Sequence, residues 1–257
     1  AALAQTQRPG LQALYRRAGV QEDSFTTETV AFQVVPRLNA PGRMGHALDS
    51  YQLLTTKSSA QAEALAEKLE NLNRERRTLT EEALVSAQEQ VRSRSASGGL
   101  PAVLLVSSPG ITRGIAGLVA GRLAEAFHRP AVAMAVEEEY VVGSGRSIPE
   151  LDIFEVFAGC QDLFVRFGGH SRAAGFTLAK EKLPLLEERL TLAAEKALES
   201  QELRPALDID AEVGLAELNE DLPKWLSTLE PFGPANPQPV FLTLRAQVLE
   251  ARCVGNT

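Results

Sequence analysis

Three short segments set hydroxyl, imidazole and guanidinium donors beside glycine, the combination a phosphate needs to come close to a backbone. In Arg166-Phe-Gly-Gly-His-Ser-Arg-Ala-Ala-Gly-Phe176, Gly168 and Gly169 permit positive φ and remove side chains. Their N–H groups can face an anion, and His170 and Arg172 add donors. A helix C-cap followed by a tight turn, with His170 merely hydrogen-bonded, accounts for the same residues equally well. In Gly143-Ser-Gly-Arg-Ser147, Ser144 and Arg146 are two apart, so an extended backbone points both to one side as a hydroxyl–guanidinium pocket. Taken alone, a strand end with an exposed arginine is the simpler account, and no third glycine opens a helix as a dinucleotide fingerprint requires. In Arg37-Leu-Asn-Ala-Pro-Gly-Arg43, Arg37, Asn39 and Arg43 can clamp a phosphodiester. A structural loop with its arginines on carbonyls fits those residues too.

The elements that must hold these segments follow from periodicity. Ala1 to Gly19 reads as a short helix closed by glycine. Prolines and glycines predict a loop over 34–45, followed by a helix over 47–54. From Ser58 to about Arg94 the pattern predicts one long helix, opened by a Ser58/Gln61 capping box and striped by Leu65, Leu69, Leu72 and Leu79. Its charges are mixed in sign, as on a solvated face, and its length suits a strut between domains. After Gly98-Gly99 the pattern becomes α/β. Strands are expected at 102–106, 131–136, 140–144 and 173–178. Helices are expected at 114–127, at 181–200, and from Pro149 to about Phe167 with a break near Gly159. Beyond, a strand over 207–213, an interrupted helix over 215–229, a proline-rich turn and one or two strands over 240–254 are expected, a last unit that looks truncated.

Composition bounds the function classes. Hydrophobic residues make up 44% of the 257, enough to bury real cores. The net charge of −7 argues against bulk electrostatic binding of nucleic acid, so any such contact must be local. Cys160 and Cys253 form neither a disulfide framework nor a zinc knuckle, and the default reading is a reducing cytoplasm. His46, His128 and His170 are scattered, without H-E-x-x-H or a carboxylate cluster of metal spacing. No apolar run approaches the roughly 18 residues of a membrane span. Ala1 to Gln7 lacks a signal-peptide layout and an initiator Met, and reads as a cut end.

Together the segments resemble the RecJ family of single-strand-specific 5′→3′ DNA exonucleases. Arg37 to Arg43 fits that family's R-L-N-A-x-G-R, and Leu72-Asn-Arg-Glu-Arg76 its L-N-x-E-R in a long linking helix. Gly143 to Pro149 fits G-S-x-R-S-I-P, Arg166 to Gly175 fits R-F-G-G-H-x-x-A-A-G, and Pro231 to Phe241 fits P-F-G-x-x-N-P-x-P-V-F. The resemblance covers nearly the whole chain in order. There are two departures: Ile111 to Gly117 lacks the Trp-His pair the family often carries there, and His46 stands where an acidic residue is common.

The resemblance implies an α/β protein. Residues 1–56 would be the tail of a DHH-type catalytic domain, 57–97 the linking helix, 98–203 a DHH-associated substrate-binding domain, and 204–257 the start of an incomplete oligonucleotide-binding (OB) domain. It implies part of a single-stranded-DNA exonuclease of DNA repair and recombination, working by two-metal hydrolysis with Mn²⁺ or Mg²⁺. The metal ligands, from D-x-D and D-H-H motifs, are expected before Ala1. No catalytic or metal-binding residue, no bound metal and no activity of the chain alone are therefore expected. The implied substrate-binding residues are Arg37, Asn39, Arg43, Ser144, Arg146, Gly168, Gly169 and His170. The length of the linking helix further predicts two bodies with a groove between them, across which the glycine-glycine-histidine turn faces the Arg37–Arg43 loop. Implied partners are single-stranded DNA, single-strand-binding protein and a helicase, in the cytoplasm and away from membranes. Two rivals stand beside this reading. One is a nucleic-acid-binding module without catalysis, the other a related DHH phosphodiesterase acting on short RNA or cyclic dinucleotides.

Overall fold

The computed structural model describes residues 3–21, 25–95 and 99–253. Residues 1–204 form one compact unit and residues 205–257 a second. The first unit opens with α1 (Pro9–Ala18), whose proline sits in the first turn and whose end is closed by Gly19 at φ 69°. Left-handed backbone there lets the Val20 N–H donate to the Tyr15 carbonyl at 3.0 Å. Ala1 and Ala2, where that helix was expected to begin, lie outside the described residues.

The loop expected over 34–45 is a helix instead. A π-helical turn, Thr29–Val34, runs into α2 (Val35–Met44), with α3 (Leu48–Thr55) behind it. Pro36 occupies the first turn, where its missing N–H costs nothing. Pro41 lies inside the helix and is buried together with Ala40. Packing of α2 on the long helix thus overrides a breaker that sequence alone treats as decisive.

That long helix, α4 (Ser59–Ser95), runs unbroken for 37 residues. The Gln61 N–H donates to Ser58 Oγ at 3.3 Å, while the Gln61 amide carbonyl accepts from Thr56 Oγ1 at 2.6 Å, so only half of the expected capping box forms. Its buried stripe is Ala62, Ala66, Leu69, Asn73, Thr80, Ala83, Leu84, Ala87 and Val91. Of the four leucines predicted to define the inner face, Leu69 alone is fully buried. Small residues dominate because α4 is packed at both ends. Its first half shares a core with Leu11, Leu14, Val34 and Leu53. Its second half shares one with Ile115, Val119 and Leu123.

After Gly98, which lies outside the described residues, a five-stranded sheet forms in the order β1-β2-β3-β5-β4. The strands are β1 (Leu104–Ser107), β2 (Ala131–Val136), β3 (Tyr140–Arg146), β4 (Phe164–His170) and β5 (Ala173–Ala179). β1 and β2 are parallel, joined by α5 (Arg113–Phe127) as crossover, and the other pairs are antiparallel. One face packs Val132, Met134, Phe176 and Leu178 under α6 (Ile153–Ala158) and α7 (Leu183–Leu198). The other packs Leu104, Val106, Ala131 and Ala133 against α5. The helix expected from Pro149 to Phe167 ends at Ala158, and β4 takes its last part. β4 is an edge strand whose register shifts between Phe164 and Arg166, which breaks the alternation that identifies a strand.

The second unit holds a parallel pair of two-residue strands, β6 (Ala211–Glu212) and β7 (Phe241–Leu242), and a short helix α8 (Leu222–Ser227). The longer strands expected over 207–213 and 240–254 reduce to this pair, Val254 lying outside the described residues. The expected helix over 215–229 reduces to a 3₁₀ turn at Leu215–Glu217 and α8. The Asn236 amide ties the proline-rich turn by donating to the Leu229 and Pro231 carbonyls at 2.8 and 3.1 Å. None of its described residues is buried.

Cys160 is buried and Cys253 exposed, and burial raises the Cys160 thiol above its ordinary value. A raised value means less thiolate at neutral pH. A disulfide-exchange reagent at pH 7.5 is expected to titrate one thiol of the folded chain rapidly and the second only on unfolding. Two equally fast thiols would contradict this packing.

Candidate functional site

Ser144 and Arg146 lie on β3, whose alternate residues Gly143 and Gly145 face the aromatic core. A Cβ at Gly143 would stand 2.2 Å from the Phe176 ring, and one at Gly145 2.5 Å from Ile153. The pleat therefore turns Ser144 and Arg146 to the opposite face, the one α5 covers. Arg146 Nη1 donates to Ser144 Oγ at 3.1 Å and to the Gly145 carbonyl at 2.8 Å. Nε and Nη2 make no bond among the described residues, which leaves a fork of N–H donors open.

α5 makes room for this pair. Gly114, Gly117 and Gly121 recur at helical spacing on one side of it. A Cβ on Gly117 would stand 2.8 Å from Arg146 Nη2 and 3.0 Å from Ser144 Oγ, and one on Gly121 3.9 Å from Arg146 Cγ. At Gly114 the visitor is α2: a Cβ there would be 2.0 Å from the Arg43 carbonyl oxygen. Arg43 Nη1 donates to the Gly114 carbonyl at 3.2 Å. Burial, then the neighbouring Arg43 charge, lowers the Arg146 guanidinium below its ordinary value. It stays charged, since an arginine does not lose its proton in a protein. Arg43 and Arg146 form no ion pair among the described residues.

The helical course of α2 divides the trio expected to act together. Arg37 turns to α4, where it pairs with Glu70 and donates to the Gln33 carbonyl at 2.6 Å. With side chains only 14% and 19% exposed, that pair clamps α2 to α4. Asn39 and Arg43, four apart, share another side of the helix and are exposed.

Gly168 and His170 join from the far edge of the sheet. Gly168 is registered with Gly175, and Gly175 with Ser144; His170 is registered with Ala173, and Ala173 with Arg146. Residues directly opposite on neighbouring strands face the same way, so His170 shares the Arg146 face roughly 10 Å away, two strand spacings. The intervening positions are Ala173 and Gly175, which keep that face shallow. Gly168-Gly169-His170 was expected in a turn and is in a strand; the hairpin tip is Ser171-Arg172. Gly169 has φ 154°, and a Cβ there would meet Ala173 O at 2.4 Å and Ala174 Cα at 2.5 Å, so only glycine fits. The Arg172 N–H donates to His170 Nδ1 at 3.3 Å, leaving Nε2 outward.

The described residues do not fit a divalent metal. Among the described residues no group of three or more His, Cys, Asp or Glu is placed to hold one. Asp208-Ile-Asp210 has D-x-D spacing, but Asp210 Oδ2 accepts the Val240 N–H at 2.8 Å and ties the turn before β7. Among the described residues no helix is long and apolar enough to cross a membrane.

Sequence reasoning singled out Ser144, Arg146 and Arg43 but passed over the floor they rest on. The Gly114/Gly117/Gly121 spacing was the signal available. Arg76 was visible inside a matched motif, yet was given no role.

Two family models match. Residues 100–196 match the DHHA1 domain and residues 209–257 the RecJ OB domain. Those matches define an α/β DHHA1 domain followed by an OB-domain region. The chain is 34% identical to the single-stranded-DNA-specific exonuclease RecJ of Bacillus subtilis, over 98% of its own length and 32% of that protein. It is 30% identical to RecJ of Escherichia coli, over 96% of its own length and 44% of that protein. The crystal structure of Thermus thermophilus RecJ with Mn²⁺ superposes with a TM-score of 0.81 at 29% identity, covering 94% of this chain and 35% of that one. The chain is a homologue of RecJ, and it spans less than half the length of these relatives.

The α5 glycines separate two kinds of contact, and stability should register the difference. Gly114→Ala collides with backbone and is expected to cost about 1–3 kcal/mol, as overpacking does. Gly117→Ala collides with the ends of two side chains and should shift stability by less than about 1 kcal/mol, the scale of the helix-propensity difference. Urea unfolding measures both, and equal losses would contradict the arrangement.

Proposed function

We propose that this chain is the substrate-binding part of a 5′→3′ single-stranded-DNA exonuclease of DNA repair and recombination, and that Ser144 and Arg146 receive the 5′-terminal phosphate. The supporting observation is the Ser144–Arg146 pair itself. A guanidinium is pinned by its own strand, its free fork lies beside a hydroxyl, and a second arginine stands near without a carboxylate partner among the described residues. Such a fork matches two phosphate oxygens, and charge-assisted bonds of this kind are about twice as strong as neutral ones. The names of the relatives supply the substrate class.

Each residue has a part in this reading. Arg146 and Ser144 hold the terminal phosphate, and Arg43 adds charge from α2. His170 Nε2, with Gly168 and Gly169, lies along the open edge of the same face, where a strand leaving the phosphate can pass over small residues. Asn39 lies on the Arg43 side of α2. Arg37 takes part through its Glu70 pair, by holding α2 against α4. The divalent ions, Mn²⁺ or Mg²⁺, belong to residues outside these 257, and when bound they supply the activation of water. The reading sets the protein in the cytoplasm, with single-strand-binding protein and a helicase as partners. Residues 1–56, 57–97, 98–203 and 204–257 are its working divisions.

Fluorescence anisotropy with a 3′-labelled oligodeoxythymidylate tests the assignment. A 5′-phosphate is expected to tighten binding relative to a 5′-hydroxyl by about 1.5–3 kcal/mol, the worth of a hydrogen bond to a charged group. Arg146→Gln should abolish that preference and leave affinity for the 5′-hydroxyl strand nearly unchanged. Equal affinity of the unaltered chain for both ends would sink the assignment. Incubated with Mn²⁺ and the 5′-phosphorylated strand, the chain is expected to release no nucleotide. Hydrolysis lost on substituting its own residues would show a catalytic centre within it.

A further inference from the structure

Beyond Gly117 the arginine cluster continues. A cleft of about 330 Å³ opens between α4 and α5, lined by Arg76, Arg77 and Arg122 among others. Gly117 and Gly121, the glycines over which Arg146 lies, form part of its wall, so the cleft adjoins the Ser144–Arg146 pair. Two carboxylates, Glu81 and Glu125, also line it. Neither pairs with an arginine, and none of Arg76, Arg77 and Arg122 forms an ion pair among the described residues.

Arg76 is the most telling member. Its Nη2 donates to Asn73 Oδ1 at 3.0 Å, while its Nε is buried with no hydrogen-bond partner among the described residues. A buried donor on a charged group carries its full desolvation penalty until an acceptor arrives. Burial, then the charges of Arg43, Arg77 and Arg122, lower this guanidinium below its ordinary value. Like charges gathered in a cleft, in a chain of net charge −7, are an arrangement that an anion relieves.

We propose that this cleft is a second phosphate subsite, contiguous with Ser144 and Arg146, in which Arg76 and Arg122 bind a phosphate group covalently linked to the one those residues hold. This rests on the terminal-phosphate reading and extends it: the protein recognises two linked phosphates at a strand end. The second phosphate is the β-phosphate of a 5′-diphosphate end, because the strand itself leaves toward Gly168 and His170.

Calorimetric titration of the full chain with three probes tests this. Thymidine 5′-monophosphate carries one phosphate, thymidine 5′-diphosphate carries two joined as anhydride, and the dinucleotide pdTpdT carries two along a strand. Arg122→Gln is the cleanest variant, because the side chain is exposed and makes no hydrogen bond or ion pair among the described residues. Arg76→Gln is paired with Arg76→Lys, with unfolding midpoints as the check on folding. Each Gln variant is expected to weaken thymidine 5′-diphosphate at least tenfold while leaving the monophosphate and pdTpdT within twofold. Arg146→Gln should weaken all three. A loss on pdTpdT in place of the diphosphate would put the strand's own phosphodiester in the cleft and overturn this assignment. Losses confined to Arg146→Gln overturn the second subsite and leave the terminal-phosphate reading standing. No loss from Arg146→Gln on any probe overturns that reading, and with it the linkage proposed here.

Discussion

One side of α5 carries no side chains at Gly114, Gly117 and Gly121, and the rest of the site is fitted to that gap. The Arg43 carbonyl of α2 occupies the space at Gly114, and the Arg146 side chain of β3 occupies that over Gly117 and Gly121. α4 holds the two elements that meet at this gap, packing on α2 and on α5. A Cβ at Gly114 separates α2 from α5; a Cβ at Gly117 displaces a guanidinium from its strand. Close approach of backbone is thus the constraint, and the clustering of arginines is its result. No favourable pairing draws Arg43, Arg76, Arg122 and Arg146 together. Packing of the elements that carry them does, against their mutual repulsion.

This gives a physical account of how an acidic chain can have a local affinity for phosphate. The net charge of −7 is spread over exposed faces, where water and salt screen it within about 10 Å. The arginines beside α5 are half-buried or lie close to those that are, and screening reaches them less. A local excess of charge at lower dielectric outweighs a distant opposite excess, so the global sign is a poor guide to this site.

How much of this was legible in the sequence depended on how local the cause was. The α4 helix was, since some ten turns without glycine or proline leave little alternative. The shared face of Ser144 and Arg146 was too, because it follows from a two-residue spacing on an extended chain. The course of Arg37 to Arg43 was not. Pro41 and Gly42 argue for a loop; the helix forms with Ala40 and Pro41 buried and α2 packed on α4, where Arg37 pairs with Glu70. β4 was hidden by its bulge and its glycines, which erase the alternation of a strand at the segment where the chemistry lies. The α4/α5 cleft was out of reach, because Arg76 and Arg122 meet only through the tertiary contact of two helices. Its sole sequence trace is the glycine spacing on α5.

The central claim is that the side chains gathered over the α5 glycines hold a terminal phosphate. A crystal structure of the chain with a short 5′-phosphorylated oligodeoxythymidylate tests it most directly. The account predicts the 5′-phosphate within hydrogen-bond reach of Ser144 Oγ and the Arg146 Nε/Nη2 fork, above Gly117. A strand bound with its 5′-phosphate elsewhere, and Ser144 and Arg146 still bonded only to each other and to their own backbone, would contradict it.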